Sequence, residues 1–166
     1  LGRNYVEGSY IGKGKYYMLV NGDNAEPRET IVSIIQNLGQ ADMIVPFFGR
    51  RDARNLGRRA ISVIFTKLVN LLSGQSLKYY NGPVAHLKFN VMRWHADTDG
   101  FGYQAEILTR LLEEGVSYVE VEVPNYDRCS GVTKAFSAKN FLAVSHSFIQ
   151  IFLRRIRWYI FYSGKR

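Results

Sequence analysis

The sequence lacks the residues that hold disulfide-rich or zinc-binding domains together. Its 166 residues include one cysteine, Cys129, and three histidines that lie far apart. A single cysteine cannot form a disulfide within the chain, and no zinc-ligand spacing occurs. The chain therefore fits a reducing compartment, or a protein without redox requirements. It also lacks an initiator methionine and a signal peptide, so we expect a piece of a longer protein.

Acidic residues are scarce toward the C terminus, and the formal net charge of +8 is unevenly distributed. From Cys129 onward there are seven Lys or Arg residues and no Asp or Glu. A second basic cluster contains Arg50, Arg51, Arg54, Arg58 and Arg59, opposed only by Asp52. Such charge attracts phosphorylated substrates, anionic lipid or nucleic acid, and its sign alone does not choose among them.

An abrupt turn follows the first predicted strand, at residues 16–20. Pro27 then opens a helical pattern, so the turn lies at the carboxyl end of a strand and just before a helix. Open α/β sheets bind ligands at that position. The side chains of Asn21, Asp23 and Glu26 offer hard oxygen ligands that suit Mg²⁺ or Mn²⁺ carrying a diphosphate. The alternative is a turn that merely uses residues favoured in turns.

The next segments predict an α/β fold. Residues 41–48 form a second apolar run, so strand, helix and strand suggest a right-handed βαβ unit with a parallel sheet. A basic loop leads into an amphipathic helix that ends at Ser73-Gly74. Arg58 and Arg59 lie at its start, where cations are unfavourable unless an anion binds. The Gly-Lys-Gly at residues 12–14 predicts a turn before the strand that starts at residue 16, because it lacks the full spacing of a phosphate loop.

Further along, a loop that contains Asp97 and Asp99 precedes a helix predicted from about Tyr103 to Glu114. Glu106 lies in its first turn, either as part of a converging carboxylate set or simply as favourable helix-end electrostatics. An alternating strand, residues 116–123, ends at a proline. The small-residue loop that follows carries Arg128 and Lys134, which could fold over a phosphate.

The C-terminal segment predicts an apolar helix that carries arginines and aromatics, from Asn140 onward. Its apolar run is shorter than the ~20 residues that span a bilayer. Aromatics mixed with arginines suit the headgroup region, and Trp158 to Tyr162 would otherwise be a large exposed apolar patch. We therefore expect contact with a membrane surface; the alternative is a helix packed on the domain.

Taken in order, these pieces resemble the family-2 glycosyltransferases, in particular the dolichyl-phosphate-mannose-synthase-like branch. The matching pieces are Asn21-Gly22-Asp23 with Pro27, Arg59 before Ser62, Asn81-Gly82, the run from Gly102 to Leu108, and Arg128, Gly131, Thr133 and Lys134. The match covers residues from about Tyr5 to Lys139. Asn21 stands where the family has the first Asp of Asp-x-Asp, which leaves the metal site one negative charge fewer.

The resemblance implies a partial A-type glycosyltransferase fold, Rossmann-like, with a mixed, mostly parallel sheet and flanking helices. Residues 1–139 would be the C-terminal part of the catalytic domain, without most of the base-binding side, and residues 140–166 a helix at the membrane surface. The implied sites are catalytic Asp23, Glu106 and Arg128; phosphate- or substrate-binding Arg59, Asn81, Gln104, Arg128 and Lys134; and metal-binding Asn21, Asp23 and Glu26.

The implied reaction is an inverting, Mg²⁺- or Mn²⁺-dependent transfer from a nucleotide-sugar. The acceptor would be a polyprenyl phosphate or a glycan at the cytoplasmic face of a membrane. The basic tail and the lack of a sharply placed base favour the lipid phosphate, which is already anionic. Two alternatives remain: a non-catalytic fragment or degenerate homologue, and a basic nucleic-acid-binding module, which no recognition motif supports. We expect no nucleic-acid partner.

Overall fold

The computed structural model describes residues 2–22, 26–50, 52–94, 100, 102–126 and 138–162. Within them, six helices and four strands pack as an α/β fold. In chain order they are α1 (Gly2–Ile11), β1 (Tyr16–Met18), α2 (Arg28–Gln36), β2 (Met43–Phe47), α3 (Leu56–Ser73), β3 (Ala85–Leu87), α4 (Lys88–Met92), α5 (Tyr103–Glu113), β4 (Tyr118–Glu122) and α6 (Ala138–Tyr162).

The four described strands form one sheet in the order β1-β3-β2-β4. β2 and β4 run parallel, with Met43 opposite Tyr118, whereas β3 is antiparallel to both of its neighbours. The predicted mixed, mostly parallel sheet is confirmed, because β1, β2 and β4 run in the same direction, although only one of the three pairings, β2 with β4, is parallel. The reason is that the short β3 inserts between the two strands of the expected βαβ unit. β1 and β2 keep the same direction but do not pair.

Helix ends lie where the sequence places strong local signals. Pro27 is the N-cap residue of α2, and Gly39 follows that helix with φ of +95°. Asn55 caps α3 through its side-chain oxygen, which accepts a bond from the backbone N–H of Arg58 at 2.9 Å. Gly74, with φ of +73°, ends α3 in the left-handed conformation that glycine adopts readily.

The predicted turn lies at residues 12–15, directly before β1, whereas the helix α1 that precedes it was not predicted. The glycines of α1 favour a turn locally, yet Tyr5 is 4% exposed and packs against the rings of Tyr17 and Tyr103, at centroid distances of 5.0 and 5.3 Å. Gly8 allows this packing, because a Cβ there would lie 2.5 Å from the Tyr17 hydroxyl oxygen. Tertiary burial therefore outweighs the low helix propensity of glycine.

The sheet is covered on both faces. One face packs against α5 and α3 in the main core, which includes Val45 of β2 and Val69 of α3. The other face packs against α2, where Ile34 meets Ile44 and Ala85. Neighbouring residues of β2 point to opposite faces, as the strand pleat requires. α2 and α3 therefore lie on opposite sides of the sheet.

α6 packs along α3 and α5. The Phe148 ring lies 5.5 Å from that of Phe65 in α3, and Arg154 Nε donates to Glu113 Oε2 of α5 at 2.6 Å. Arg155 donates to the carbonyl of Leu71 near the end of α3 at 3.1 Å, where the helix dipole favours a cation. None of the described helices is long and apolar enough to cross a bilayer. The boundary between residues 139 and 140 stays a prediction.

Replacing Gly102 by alanine should lower the free energy of unfolding by about 1 to 3 kcal/mol. The φ of Gly102 is −72°, which suits any residue, but an added Cβ would collide with the buried Ser147 side chain of α6. Urea unfolding measures the effect. In a Ser147→Gly background the same substitution should lose little stability, and an undiminished loss there would contradict this packing.

Candidate active site

Two adjoining cavities lie between the end of β1, the start of α3, and the turn before β3. The larger, of about 500 Å³, is mostly apolar; the smaller, of about 200 Å³, is polar. We call them the apolar cavity and the polar cavity. They share the lining residues Asn21, Glu26, Asn81 and Pro83. Three residues predicted from the sequence therefore lie on the wall common to both cavities.

The turn after β1 brings two of the predicted metal ligands into contact. Asn21 Nδ2 donates to Glu26 Oε1 at 2.6 Å. The second oxygen, Glu26 Oε2, is buried and has no hydrogen-bond partner among the described residues. A buried carboxylate oxygen without a partner needs a cation or a donor, and a divalent metal would supply the cation. The predicted ligand Asp23 lies outside the described residues.

The donor set fits a hard divalent cation in chemistry. Asn21 retains its amide oxygen and Glu26 one carboxylate oxygen, and both are ligands that Mg²⁺ and Mn²⁺ accept. Within the described ranges, no three His, Cys, Asp or Glu side chains lie close enough to hold a metal by themselves. A metal here would therefore depend on Asn21 and Glu26 together with ligands from the neighbouring turn or the substrate.

Arg54 lines the polar cavity and is held rigidly. It forms a two-pronged ion pair with Asp52, in which Nε to Oδ1 and Nη2 to Oδ2 are each 2.9 Å. Its guanidinium lies 5.1 Å from the Phe48 ring centroid and 5.5 Å from that of Tyr79. It also donates to Ser62 Oγ at 3.0 Å. This arrangement fixes the position of the guanidinium, and the Asp52 carboxylate offsets its charge.

The pKa values around Arg54 follow from that packing. Burial alone would raise the pKa of Asp52, but the hydrogen bonds and the charge of Arg54 outweigh it, so the pKa is lowered. Burial raises the pKa of Tyr79, although Arg54 opposes the shift. At neutral pH Asp52 is therefore a carboxylate and Tyr79 a neutral phenol.

Arg58 also lines the polar cavity, and Ser62, one helical turn later, lines the apolar one. Residues four apart lie on the same side of a helix, so both point toward the shared wall from the start of α3. The structure does not place the predicted Arg59 in either cavity. Its side chain is 47% exposed, and its Nε lies 3.9 Å from Asp52 Oδ2.

Asn81 and Gln104, both predicted, meet at the apolar cavity. Gln104 Nε2 donates to the carbonyl of Gly82 at 2.6 Å, which fixes the Asn81-Gly82 turn against the start of α5. Gly82 lies so close to Pro46 that a Cβ would come within 2.8 Å of the Pro46 ring. Gln104 therefore holds the cavity wall in place, in addition to lining it.

The structure does not bring Glu106 to these residues. Its side chain is buried, at 3% exposure, and lines a separate cavity of about 610 Å³ between α5 and α6. Two residues along a helix turn a side chain by roughly 200°, which separates Glu106 from Gln104. The predicted Arg128 and Lys134, and the loop carboxylates Asp97 and Asp99, lie outside the described residues.

Sequence reasoning did not select several side chains that shape the cavities. Arg54 was part of the basic cluster, but its neighbours Phe48 and Tyr79 lie on other segments, and only the fold brings them together. The pairing of Asp52 and Arg54, two residues apart, was the available signal. The apolar cavity is lined by Leu19, Ile61, Phe65, Tyr103, Phe141 and Val144 among others.

No protein-family model matches the sequence, and no curated protein matches it. Among solved structures, the chain is similar to glucosyl-3-phosphoglycerate synthase from Mycobacterium tuberculosis. The complex with UDP shows 14% identity and a TM-score of 0.59; that with Mn²⁺, UDP and glucosyl-3-phosphoglycerate, 15% and 0.60; and that with Mn²⁺, UDP-glucose and phosphoglyceric acid, 16% and 0.58. Each match covers 93% of this chain and 54% of that chain.

This likeness confirms the fold class: the chain has the A-type glycosyltransferase fold, over about half the length of the structures that it matches. Two of those structures hold Mn²⁺, one of the two ions that the sequence resemblance implied. At 14–16% identity the likeness concerns the fold alone.

Proposed function

We propose that this chain forms the diphosphate- and acceptor-binding part of a metal-dependent, inverting glycosyltransferase of the dolichyl-phosphate-mannose-synthase-like branch. The enzyme would transfer a sugar from a nucleotide-sugar to a polyprenyl phosphate at the cytoplasmic face of a membrane. One observation carries the proposal: a polar cavity with two arginines and a buried carboxylate adjoins a larger apolar cavity and shares four lining residues with it.

The polar cavity suits the diphosphate of the donor. Arg58 and Arg54, the latter paired with Asp52, both line this small space, and Glu26 presents a buried oxygen beside them. A divalent metal, when bound by Asn21, Asp23 and Glu26, would neutralise the leaving diphosphate. The two arginines would bind and orient phosphate oxygens, an interaction that strengthens where water is excluded. Arg128 and Lys134 would close over the phosphates as a lid.

The apolar cavity supports a lipid acceptor. Its aliphatic and aromatic wall matches an isoprenoid chain, whereas the phosphoglyceric acid found with the similar enzyme offers little apolar surface. A lipid phosphate needs no general base. This agrees with the position of Glu106 outside both cavities, and with Gln104, an amide that cannot take up a proton at neutral pH. A glycan acceptor would require a general base. Among the described residues that line the two cavities, Glu26 is the one carboxylate, and the proposal assigns it to the metal.

The membrane part of the proposal rests on α6. Its outer residues are apolar or aromatic and exposed, with Tyr159, Ile160 and Phe161 each 65% exposed or more. Exposed apolar patches of this kind mark interaction sites, and basic residues nearby favour anionic lipid. The nucleic-acid alternative would require steep salt dependence of binding to single or double strands.

Titration calorimetry of inorganic pyrophosphate, UDP and GDP tests the site, with and without Mn²⁺. Binding should require the metal, and Glu26→Gln should weaken it at least tenfold, because the amide removes one negative ligand. The matched control is Glu29→Gln, an exposed residue in the first turn of α2 that should leave binding unchanged. Metal-independent binding, or equal affinity in Glu26→Gln, would place the diphosphate elsewhere.

A further inference from the structure

α3 carries a stripe of exposed apolar residues beside its contact with α6. Ile64 and Leu71 are 65% and 74% exposed. Ile61 precedes Ile64 and Leu68 lies between Ile64 and Leu71, all at helical spacing. Phe65, which packs on Phe148 of α6, follows Ile61 by four residues and precedes Leu68 by three. By helical geometry, the exposed stripe therefore borders the seam between the two helices.

α6 carries a matching stripe on its own side of that seam. Phe152 lies four residues after Phe148, so it faces the same side one turn further along, and it is 47% exposed. Phe141 lies on the same side of α6 seven residues before Phe148, and Ile156 and Tyr159 follow Phe152 by four and seven residues; all three are exposed. We define the apolar band as Ile61, Ile64, Leu68 and Leu71 of α3, together with Phe141, Phe152, Ile156 and Tyr159 of α6.

The charges on these helices are of one sign. Neither helix contains an Asp or a Glu. Lys67 lies beside the α3 stripe, three residues after Ile64 and four before Leu71, and it is exposed. A long basic side chain beside an apolar surface can reach the lipid headgroups while the apolar residues enter the acyl region.

This charge pattern decides between two occupants of the band. A second copy of the chain, docked face to face, would bring two sets of basic helices together with no carboxylate from α3 or α6 to offset them. An anionic bilayer offers the opposite charge together with an apolar interior. Each exposed Lys or Arg near such a surface contributes about 1 kcal/mol.

We infer that the apolar band of α3 and α6 is the surface on which this protein lies against an anionic bilayer, with the apolar cavity opening toward the lipid. Ile61 and Phe141 belong to both the band and the cavity wall, and are 48% and 73% exposed. The apolar surface is thus continuous from the band into the cavity. A prenyl chain enters the apolar cavity directly from the bilayer, without crossing water. This entry route, unlike the membrane surface itself, rests on the proposed function.

Vesicle sedimentation tests the surface without any sugar acceptor present. The protein should bind vesicles of phosphatidylcholine mixed with phosphatidylglycerol more tightly than phosphatidylcholine alone. The double variant Ile64→Glu/Leu71→Glu should bind the mixed vesicles at least tenfold more weakly. The control Val32→Glu/Ile35→Glu places the same charges on exposed apolar residues of α2, on the opposite side of the sheet, and should bind normally.

Two outcomes would overturn the inference. One is equal vesicle binding by the α3 double variant, once thermal unfolding shows both variants folded. The other is a dimer in sedimentation velocity that Ile64→Glu/Leu71→Glu dissociates, because the band would then be a contact between copies.

A transfer assay separates this surface from the proposed activity. The α3 double variant should lose transfer to polyprenyl phosphate in vesicles but keep transfer to a short, water-soluble prenyl phosphate. Equal loss with both acceptors would contradict lateral entry. No transfer to either acceptor by the whole enzyme, of which this chain is proposed to form one part, would refute the proposed function and leave the vesicle result standing.

Discussion

Arg58→Ala is expected to lower kcat/KM for sugar transfer by about 100- to 1,000-fold, the effect of removing one charge-stabilising group from a closed site. Arg58 lines the polar cavity at the start of α3. The substitution leaves the helix start intact, because Asn55 is bonded to the backbone N–H of this residue and not to its side chain. Arg58→Lys should recover part of the rate, since it keeps the charge but loses the two-pronged geometry.

The matched control is Arg59→Ala, one residue along the same helix. Its side chain is half exposed and lines neither cavity, so the rate should change by a few-fold at most. Steady-state kinetics with varied acceptor and donor would show which substrate loses binding. If Arg59→Ala has the larger effect, the residue chosen from the sequence pattern is the phosphate ligand and the cavity assignment is wrong.

Asp52→Ala is expected to lower the free energy of unfolding by about 3 kcal/mol at pH 7. Asp52 and Arg54 side chains are only 6% and 16% exposed, and removing one partner leaves the other charge buried. The bond from Arg54 to Ser62 persists, which keeps the loss toward the lower end of the usual range. The comparison variant is Glu114→Ala. It removes a more exposed carboxylate paired with Arg93 and Arg110, and should lose about 1 kcal/mol or less.

The same variant has a defined pH dependence. Because the pKa of Asp52 is lowered in the folded protein, its carboxylate stabilises the fold above its unfolded pKa of about 3.9. That contribution disappears as pH falls through the lower, folded-state pKa. The difference in the free energy of unfolding between the unmodified protein and Asp52→Ala should therefore be constant near neutral pH and decrease only below about pH 4. Urea unfolding across this range measures it; a difference that disappears between pH 7 and 5 would contradict the assignment.

The helices could largely be predicted, because local residues set their ends. Pro27 can begin a helix but cannot continue one, and Gly39, Gly74 and Gly115 all adopt positive φ just after helices. Such signals act within a few residues and need no knowledge of the rest of the fold. α1 was missed because its glycines weaken the local signal, and burial of Tyr5 against distant tyrosines supplies the stability instead.

Much of the candidate site could also be predicted, for a different reason. Asn21, Glu26, Asn81 and Gln104 were selected through the order and spacing of motifs, and the structure places all four around one cavity. Residues that act on one substrate must lie close together in the folded chain. The order and spacing of motifs along the sequence therefore indicate, indirectly, which residues come together.

Helix phase and tertiary packing account for what was not predicted. The motif selected Arg59, three residues before Ser62, whereas the structure places Arg58, four residues before it, in the polar cavity. Glu106 is separated from Gln104 by helix phase. Arg54 acquires its setting from Phe48 and Tyr79, which approach only when the chain has folded.

The position of β3 also has a consequence for how the site is assembled during synthesis. Among the described strands, β1 pairs only with β3, so β1 gains a partner only after the ribosome has added about seventy further residues. The Asn21 turn follows β1 directly, and remains without a fixed place until then. Arg54 and Arg58 are made well before β3. The acidic turn and the basic helix start should therefore come together in one late step, and a nascent chain that stops before Ala85 should have no affinity for metal-bound diphosphate.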